Sequence, residues 1–478
     1  MPVSSHYRPR SGFPSLGEGF ADEVSAARFP LHRQRFRNQR AAHEVGLGEL
    51  THAEWEAHFA AFVPLPESLQ RPLALRYHGH QFDVYNPDLG DGRGFLFAQL
   101  EDAHGRLMDL GTKGSGTTPW SRGGDGKLTL KGGVREVLAT ELLEALGVPT
   151  SRTFSLFETG EALMRGDEPS PTRSSVLVRL SHSHVRFGTF QRLAYLNDTK
   201  RLEALLEYAI AHYYPEVSPG PRRVHDFLAA VTRRAATLTA SWMVAGFVHG
   251  VLNSDNMNIT GESFDYGPYR FLPSYDGSFT AAYFDHQGLY SYGRQPTAVM
   301  TNLVRLAGSL KPLAPHLDLG ASLAGFEATL HEETTKRVVA RLGLRSRHEA
   351  GADESLVAAV YEFLEGSKVP YDRFFFDLYG GRQTLTLTGP AKHHYEGTKW
   401  AALARLLAQH EPVGTDVPSY FEGERPTTLV IEEIERIWEP IARENDWSLF
   451  HEKLEAIRDI PRLARDICVR VGHKSPSQ

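Results

Sequence analysis

The sequence predicts an α+β protein with two lobes, a β-rich N-terminal lobe and a mostly helical C-terminal lobe, with extra segments at both chain ends. Two observations predict this fold class. Short strand-like runs separated by turn residues dominate residues 76–195. From about residue 200 onwards, apolar residues recur instead with the period of an amphipathic helix. We therefore expect the boundary between the lobes near residues 190–200.

The chain is expected to divide into four segments. Residues 1–75 are polar and are predicted to form an irregular N-terminal extension with one helix, over Thr51–Phe62. Residues 76–195 form the β-rich lobe and residues 196–410 the helical lobe. Residues 411–478 form a C-terminal segment that begins irregularly and ends in two helices.

Composition places the chain among ordinary globular proteins. Of its 478 residues, 41% are hydrophobic and 23% are charged, and 52 basic against 58 acidic residues give a net charge of −6. This mildly acidic balance argues against a nucleic-acid partner. Cys468 is the only cysteine, which excludes an intramolecular disulfide. No apolar run reaches the ~18 residues of a membrane span, so we expect a cytoplasmic protein without a membrane partner.

The β-rich lobe is predicted to contain a hairpin entered from a glycine-rich turn. The turn is Gly90–Gly94, with the sequence GDGRG. The strands are Phe95–Glu101 and Leu107–Lys113, joined by a turn over Asp102–Gly105. A polar, glycine-rich loop over Gly114–Gly126 follows the second strand.

The remaining elements alternate in character along the chain. An apolar stripe predicts an amphipathic helix over Val134–Leu146. Three strand-like runs follow, over Thr153–Glu158, Ala162–Arg165 and Ser175–Leu180. His225–Phe247 is predicted to be the long central helix of the second lobe.

Three features of the first lobe occur in the order found in the N-terminal lobe of protein kinases. A glycine-rich turn at Gly90–Gly94 could approach phosphate oxygens, Lys113 could neutralise them, and Glu136 could hold that lysine. The letters differ from the kinase consensus, since GDGRG is not GxGxxG and no VAIK is present. Taken singly, the turn and the glutamate could equally be an ordinary turn and a solvated helix residue.

The second lobe contains a polar string, HGVLNSDNMNITGESFDYG, after the predicted long helix, which is expected to end at His249-Gly250. Asn256 and Asp265 carry oxygen ligands suited to Mg²⁺, and the triplet that begins at Asp265 resembles the kinase DFG. The alternative is a loop of Asx turns without a ligand.

One position argues against ordinary phosphotransfer. Related small-molecule kinases place a catalytic base two residues after the histidine, where this chain has Val251. Valine cannot accept a proton, so the chain is either inactive as a kinase or uses Asp255 instead.

Two arginines could form an anion site of their own. Arg179 and Arg186 flank the string SHSH, and guanidinium groups suit bidentate phosphate recognition. From spacing alone, they could also be structural arginines.

Several long strings, in order from about residue 75 to 310, resemble the SelO (YdiU) family of protein adenylyltransferase pseudokinases. The strings are GHQFDVYNPDLGDGRG, KGSGTTPWSRGGDGK, REVLATELLEALGVPTSRT, VRLSHSHVRFG, HGVLNSDNMNITGESFDYGPYRF and DHQGLYSYGRQP. The resemblance implies a protein-kinase-like two-lobed fold that binds ATP in a flipped orientation. AMP would then pass to Ser, Thr or Tyr hydroxyls of proteins.

The resemblance also implies roles for individual residues. Asp255 would accept the proton, Asn256 and Asp265 would hold Mg²⁺ or Mn²⁺, and Glu136 would pair with Lys113. Asp265 would thereby also contact the nucleotide. The other nucleotide-binding residues would be Gly90, Gly92, Arg93, Lys113, Asp125, Gly126, Arg179 and Arg186.

The match has departures, and other functions stay open. Asp83 stands where the family usually has glycine, Lys127 replaces an arginine, and the C-terminal third is divergent. Alternatives are UMP transfer from UTP with Mn²⁺, a kinase-type phosphotransferase, and a non-catalytic nucleotide-binding pseudokinase.

Overall fold

The computed structural model describes residues 4–347 and 349–461. Cys468, noted above, and the end of the C-terminal segment lie outside the described residues. Within these ranges, no helix is both long and apolar enough to cross a membrane.

The strands, numbered in chain order, lie mostly in the first half of the chain. Strands β1–β13 are Pro9–Arg10, Ala21–Glu23, Arg33–Arg37, Leu73–Leu75, Gly79–Gln81, Val84–Asn86, Leu96–Glu101, Leu107–Lys113, Leu128–Thr129, Arg152–Leu163, Thr172–Ser181, Phe247–His249 and Tyr269–Phe271. The helices dominate the second half. Helices α1–α14 are Gln39–Glu44, His52–Phe59, Leu130–Ala145, Phe187–Tyr195, Thr199–Tyr213, Arg223–Ala245, Gln295–Leu310, Phe326–Arg341, Ala352–Ser367, Tyr371–Asp377, Thr384–Thr388, Gly397–Leu407, Ile431–Glu444 and Ser448–Arg458. The fold is therefore mixed α and β, with most strands before most helices, as predicted.

Nine strands form one antiparallel sheet. Its main order is β2-β4-β7-β8-β11-β10-β3, while β1 pairs with β7 and β9 with β11. The predicted hairpin is present as β7 and β8. Two small two-stranded sheets, β5-β6 and β12-β13, lie outside this sheet.

Both faces of the large sheet are covered, which explains why its strands are almost wholly buried. Val176 and Val178 of β11 pack with Trp55 and Phe59 of α2. Leu177 points to the other face, into the core shared with α3. Side chains at odd positions of β11 therefore project toward α3, the side on which the cleft described below lies.

The N-terminal segment differs from the prediction of an irregular extension. Thr51 caps α2 with a capping box, which confirms the expected helix, although α2 ends at Phe59. The segment also supplies β1–β4 to the large sheet. These strands are only two to five residues long, so they carry too little alternation to be recognised from sequence.

Several predicted element boundaries were wrong. Helix α3 begins at Leu130, because Thr129 provides the N-cap. The run Thr153–Glu158 and the first two residues of the run Ala162–Arg165 belong to one strand, β10, interrupted by a register shift. Helix α6 ends at Ala245, before the left-handed Gly246, and the apolar residues that follow form β12. The two predicted C-terminal helices are present as α13 and α14.

Candidate functional site

Lys113 and Glu136 form the ion pair that the sequence predicted. Lys113 ends β8, opposite Leu177 of β11, and so its side chain projects to the α3 face of the sheet. Its Nζ atom donates to Oε2 of Glu136 at 2.7 Å and to Oδ1 of Asp265 at 3.0 Å. Lys113 and Glu136 are both almost fully buried. The lysine thus joins the sheet, helix α3 and the loop of the second lobe.

Two arginines complete a cluster of cations around Asp265. Arg179 Nη2 lies 3.8 Å from Oδ1 of Asp265, and Arg186 Nη1 lies 3.7 Å from Oδ2. Both guanidinium groups stack on the ring of Phe264, each with its carbon 4.7 Å from the ring centroid. Phe264 therefore contacts both arginines, and Arg186 also lies over the ring of Tyr77, 4.3 Å from its centroid. We call Lys113, Arg179, Arg186 and Asp265 the cation cluster.

The cation cluster fixes the charge state of Asp265. Burial alone would raise the pKa of this carboxyl, but Lys113, Arg179 and Arg186 hold the pKa well below its ordinary value. The backbone of Asp265 is left-handed, with φ of +61°. Its side chain is 26% exposed, so an ionised carboxylate reaches the cleft.

Several nitrogens of the cluster lack a partner in the part of the chain that the structure describes. Nε and Nη1 of Arg179 and Nε of Arg186 are buried and make no hydrogen bond to any described residue. Each unsatisfied buried donor costs about 1–3 kcal/mol. A bound anion that accepted these hydrogen bonds would recover that cost.

The loop after β12 is held from several sides. Tyr290 Oη donates to Oδ1 of Asn253 at 2.7 Å, and Ser254 Oγ accepts a hydrogen bond from the backbone of His80 at 2.8 Å. Asn302 Nδ2 donates to the carbonyl of Leu252 at 2.7 Å. These contacts fix the backbone that presents the next two side chains, those of Asp255 and Asn256.

Asp255 is buried beside the cation cluster but is not paired with a cation side chain. The Arg186 guanidinium donates to its backbone carbonyl at 2.9 Å, and Oδ1 accepts no hydrogen bond from any described residue. Burial raises the pKa of Asp255 to about 6, although the charge of Arg186 opposes this. A Cβ atom at Gly79 would lie 2.7 Å from Oδ1, so glycine is required there.

Asn256 and Asp265 fit the ligands that a hard cation needs. Nδ2 of Asn256 donates to the carbonyl of Val251 at 2.9 Å, which leaves Oδ1 as the atom that can bind a metal. Mg²⁺ uses few protein oxygens and takes further ligands from phosphates and water. No group of three or more His, Cys, Asp or Glu side chains that could hold a metal occurs in the described part of the chain.

One cavity of about 680 Å³ brings the predicted residues together. Among the described residues that line it, cations outnumber carboxylates seven to four. Of the predicted site residues, Glu136 alone does not line the cavity, because it lies behind Lys113. The predicted residues in the lining are Gly90, Gly92, Arg93, Lys113, Asp125, Gly126, Arg179, Arg186, Asp255, Asn256 and Asp265.

In the glycine-rich strings of the cavity wall, a side chain at several positions would clash with neighbouring backbone. Gly126 has φ of +68°, and a Cβ atom there would lie 2.2 Å from Gly116. Asp125 is held at the rim by two hydrogen bonds from Arg165, of 2.9 and 3.0 Å. Its carboxylate therefore offsets one cation of the rim.

Sequence reasoning missed four residues that shape the cavity. Asp91 Oδ1 accepts from Nη2 of Arg186 at 3.1 Å, and its position between two glycines of the quoted GDGRG string was the available signal. Trp120, Arg122 and Arg165 also line the cavity. Nothing in the local pattern distinguishes Arg165, which reaches the site from the end of β10.

The chain is similar to known proteins over almost its whole length. A family model described as protein adenylyltransferase SelO matches residues 3–458. A protein nucleotidyltransferase YdiU of Gloeobacter violaceus is 45% identical over 476 residues, covering 95% of each chain.

Two further relatives agree. Proteins of the same name from Trichormus variabilis and Synechocystis sp. are 43% and 44% identical, covering 95% and 93% of this chain and 96% of each relative. The predicted family is confirmed: the chain belongs to the SelO family of nucleotidyltransferase enzymes.

Proposed function

We propose that this enzyme transfers AMP from ATP to Ser, Thr or Tyr hydroxyls of proteins. The observation that carries the proposal is the juxtaposition of the cation cluster, with its unpaired guanidinium nitrogens, and the buried carboxylate of Asp255. A triphosphate would satisfy the unpaired nitrogens. An acceptor hydroxyl would approach Asp255 beside the triphosphate.

The transfer balances with the groups present. The acceptor oxygen forms a bond to the α-phosphorus, the bond between the α-phosphorus and the bridging oxygen to the β-phosphorus breaks, and pyrophosphate leaves. The hydroxyl proton passes to Asp255. Lys113, Arg179 and Arg186 offset the charge that develops on the phosphate oxygens.

Asn256 and Asp265 would hold Mg²⁺, which supplies charge neutralisation at the phosphates. The chain itself contributes one ionised carboxylate and one oriented amide oxygen to that site. Mn²⁺ with UTP is the variant of the same proposal, since both metals accept oxygen ligands.

A protein-kinase-like arrangement is part of the proposal. The support is the ion pair between a strand lysine and a helix glutamate, together with Asp265 at the start of a DYG triplet, 3.0 Å from that lysine. Ordinary phosphotransfer is disfavoured because Val251 lines the cavity where a base would stand. We further propose a cytoplasmic location, which the single cysteine would suit.

Parallel incubation with α-labelled and γ-labelled ATP tests the proposal. We expect label to reach protein from the α position only. Label from the γ position only would favour a kinase. No label from either, with ATP still bound in calorimetry, would favour a non-catalytic nucleotide-binding protein.

A further inference from the structure

Beside Asp255, the hairpin β5-β6 forms the wall of the cleft and also reaches the surface. Gly79 of β5 abuts the side chain of Asp255, and Gln81 lines the cavity. The backbone nitrogen of Phe82 donates to Oδ1 of Asn253 at 3.2 Å. The hairpin is therefore attached directly to the loop that presents Asp255.

The outer side of this hairpin is apolar and exposed. Its rings contact neighbours on two sides: Phe82 lies 5.8 Å from Phe284, and Tyr85 stacks on Tyr195 at 5.0 Å between ring centroids. Tyr283 contacts Phe284 at 5.1 Å. We call the linked rings of Phe82, Tyr283 and Phe284 the aromatic ridge.

The exposure of the ridge is unusual for apolar side chains. Tyr283 is 82% exposed and Phe284 is 42% exposed. Single exposed apolar residues are common, but a contiguous set beside a cleft marks an interaction surface. The ridge is also well fixed, because Asp285 accepts hydrogen bonds from the backbones of Leu289 and Tyr290, and Tyr290 donates to Asn253.

We propose that the aromatic ridge binds the acceptor, as an extended polypeptide segment with an apolar side chain near its hydroxyl residue. This inference rests on the proposed function, which requires a hydroxyl to approach Asp255. Phe82 and Tyr290 both donate to Oδ1 of Asn253, two residues before Asp255, so the ridge is attached to the loop that presents the proposed base. Asp83 pairs with Arg305, and Asp88, exposed next to the hairpin, carries a negative charge that disfavours an anionic membrane as the occupant.

The test uses an oriented peptide library with a fixed central Ser, Thr or Tyr and degenerate flanks. The AMP donor is α-labelled ATP. The wild-type enzyme should enrich Phe, Leu, Ile or Val at one or more flanking positions. The double variant Tyr283→Ser/Phe284→Ser should lose that enrichment. For an enriched peptide, we expect its KM to rise about tenfold with kcat unchanged, as for the loss of about 1.4 kcal/mol of contact.

The matched control is Leu387→Ser, since Leu387 is 74% exposed but lies on α11, outside the ridge. The control should keep the enrichment. Thermal unfolding and ATP affinity of all three proteins establish that they are folded and bind nucleotide.

The outcomes separate two failures. Labelled peptides without an apolar preference, or an unchanged KM in the double variant, would overturn the ridge proposal alone. No label in any peptide or protein would overturn the proposed function as well. A wild-type dimer that the double variant converts to a monomer would assign the ridge to a second copy of the chain instead.

Discussion

Strand β11 has an arginine near each end, and the surroundings of the two arginines are opposite. At one end, Arg173 uses all three guanidinium nitrogens. It donates to Glu158 at 2.8 and 2.9 Å, to the carbonyl of Ile441 at 2.7 Å and to Asn445 at 2.7 Å. At the other end, two of the three guanidinium nitrogens of Arg179 are buried without a partner among the described residues.

Structural and functional charges can be distinguished by their partners. Glu158 also accepts from Arg35, whose guanidinium lies over Trp447. We call Arg35, Glu158, Arg173 and Asn445 the outer cluster. It ties the sheet to the turn between α13 and α14. Buried charge that is fully paired holds elements together. Buried donors without partners cost stability, and such donors beside a cavity indicate that a ligand supplies the missing acceptors.

The largest effect is expected for the carboxylate inside the cation cluster. Asp265→Ala should abolish both Mg²⁺-dependent ATP binding and transfer, because it removes the ionised carboxylate that we propose as a metal ligand. Calorimetry with ATP, with and without Mg²⁺, measures the first, and α-label transfer measures the second. Unchanged Mg²⁺-dependent affinity would contradict the role of Asp265.

Asp255 should behave differently although it lies in the same cleft. Asp255→Asn should still bind Mg²⁺–ATP but slow transfer by ~10²–10⁴-fold, the span for loss of a general base. Single-turnover rates and ATP affinity measured together test this. A loss of ATP binding in this variant would move Asp255 from the base to the metal site.

The outer cluster should affect stability and leave the chemistry intact. Glu158→Ala leaves Arg35 and Arg173 without their carboxylate, and we expect the free energy of unfolding to fall by about 3 kcal/mol. Urea titration measures this change. The ATP affinity of the folded variant should match that of the wild type, whereas a lowered affinity would mean that the two clusters are coupled.

Arg179→Met and Arg173→Met form a matched pair on one strand. Arg179→Met should weaken ATP binding about tenfold or more, since charged hydrogen bonds contribute about 1.5–3 kcal/mol, and should not lower the free energy of unfolding. Arg173→Met should lower the free energy of unfolding and leave ATP affinity unchanged. Equal destabilisation by both would remove the distinction between the clusters.

The smallest effect is a pH dependence of stability. Burial acts to raise the pKa of Glu158, but hydrogen bonds from Arg173 and Arg35 outweigh it and lower the pKa below its ordinary value. This stabilisation is present above the pKa of the unfolded carboxyl and is lost as the pH falls through the folded pKa. Urea titrations of Glu158→Gln should therefore show a weaker decline in stability in acid than the wild type; parallel declines would contradict this.

The cleft could be predicted largely from sequence, because its residues lie in long distinctive strings. Lys113 and Glu136 are 23 residues apart, and the order of strand, loop and helix sufficed to predict their contact. The triplet that begins at Asp265 sufficed to predict that this residue lies in the cleft, and its role as a metal ligand stays a prediction. Its contacts with Arg179 and Arg186 depend on tertiary packing around Phe264, which no local pattern carries.

The outer cluster could not be predicted for the same reason. Asn445 lies 272 residues from Arg173, and its side chain accepts this hydrogen bond only because α13 ends there in a left-handed residue. The short strands β1–β4 join the sheet through backbone pairing, which leaves little trace in side-chain periodicity. Such contacts are fixed by the assembled fold rather than by neighbouring residues.

The phosphorus products of one reaction distinguish adenylyl transfer from phosphoryl transfer. Phosphorus-31 NMR of enzyme, Mg²⁺, ATP and a protein acceptor follows pyrophosphate and ADP together, with Asp255→Asn as the control. We expect pyrophosphate to appear in step with modified acceptor, whereas ADP should not. Pyrophosphate and modified acceptor should both form more slowly in the control. ADP formed in step with modified acceptor would contradict adenylyl transfer.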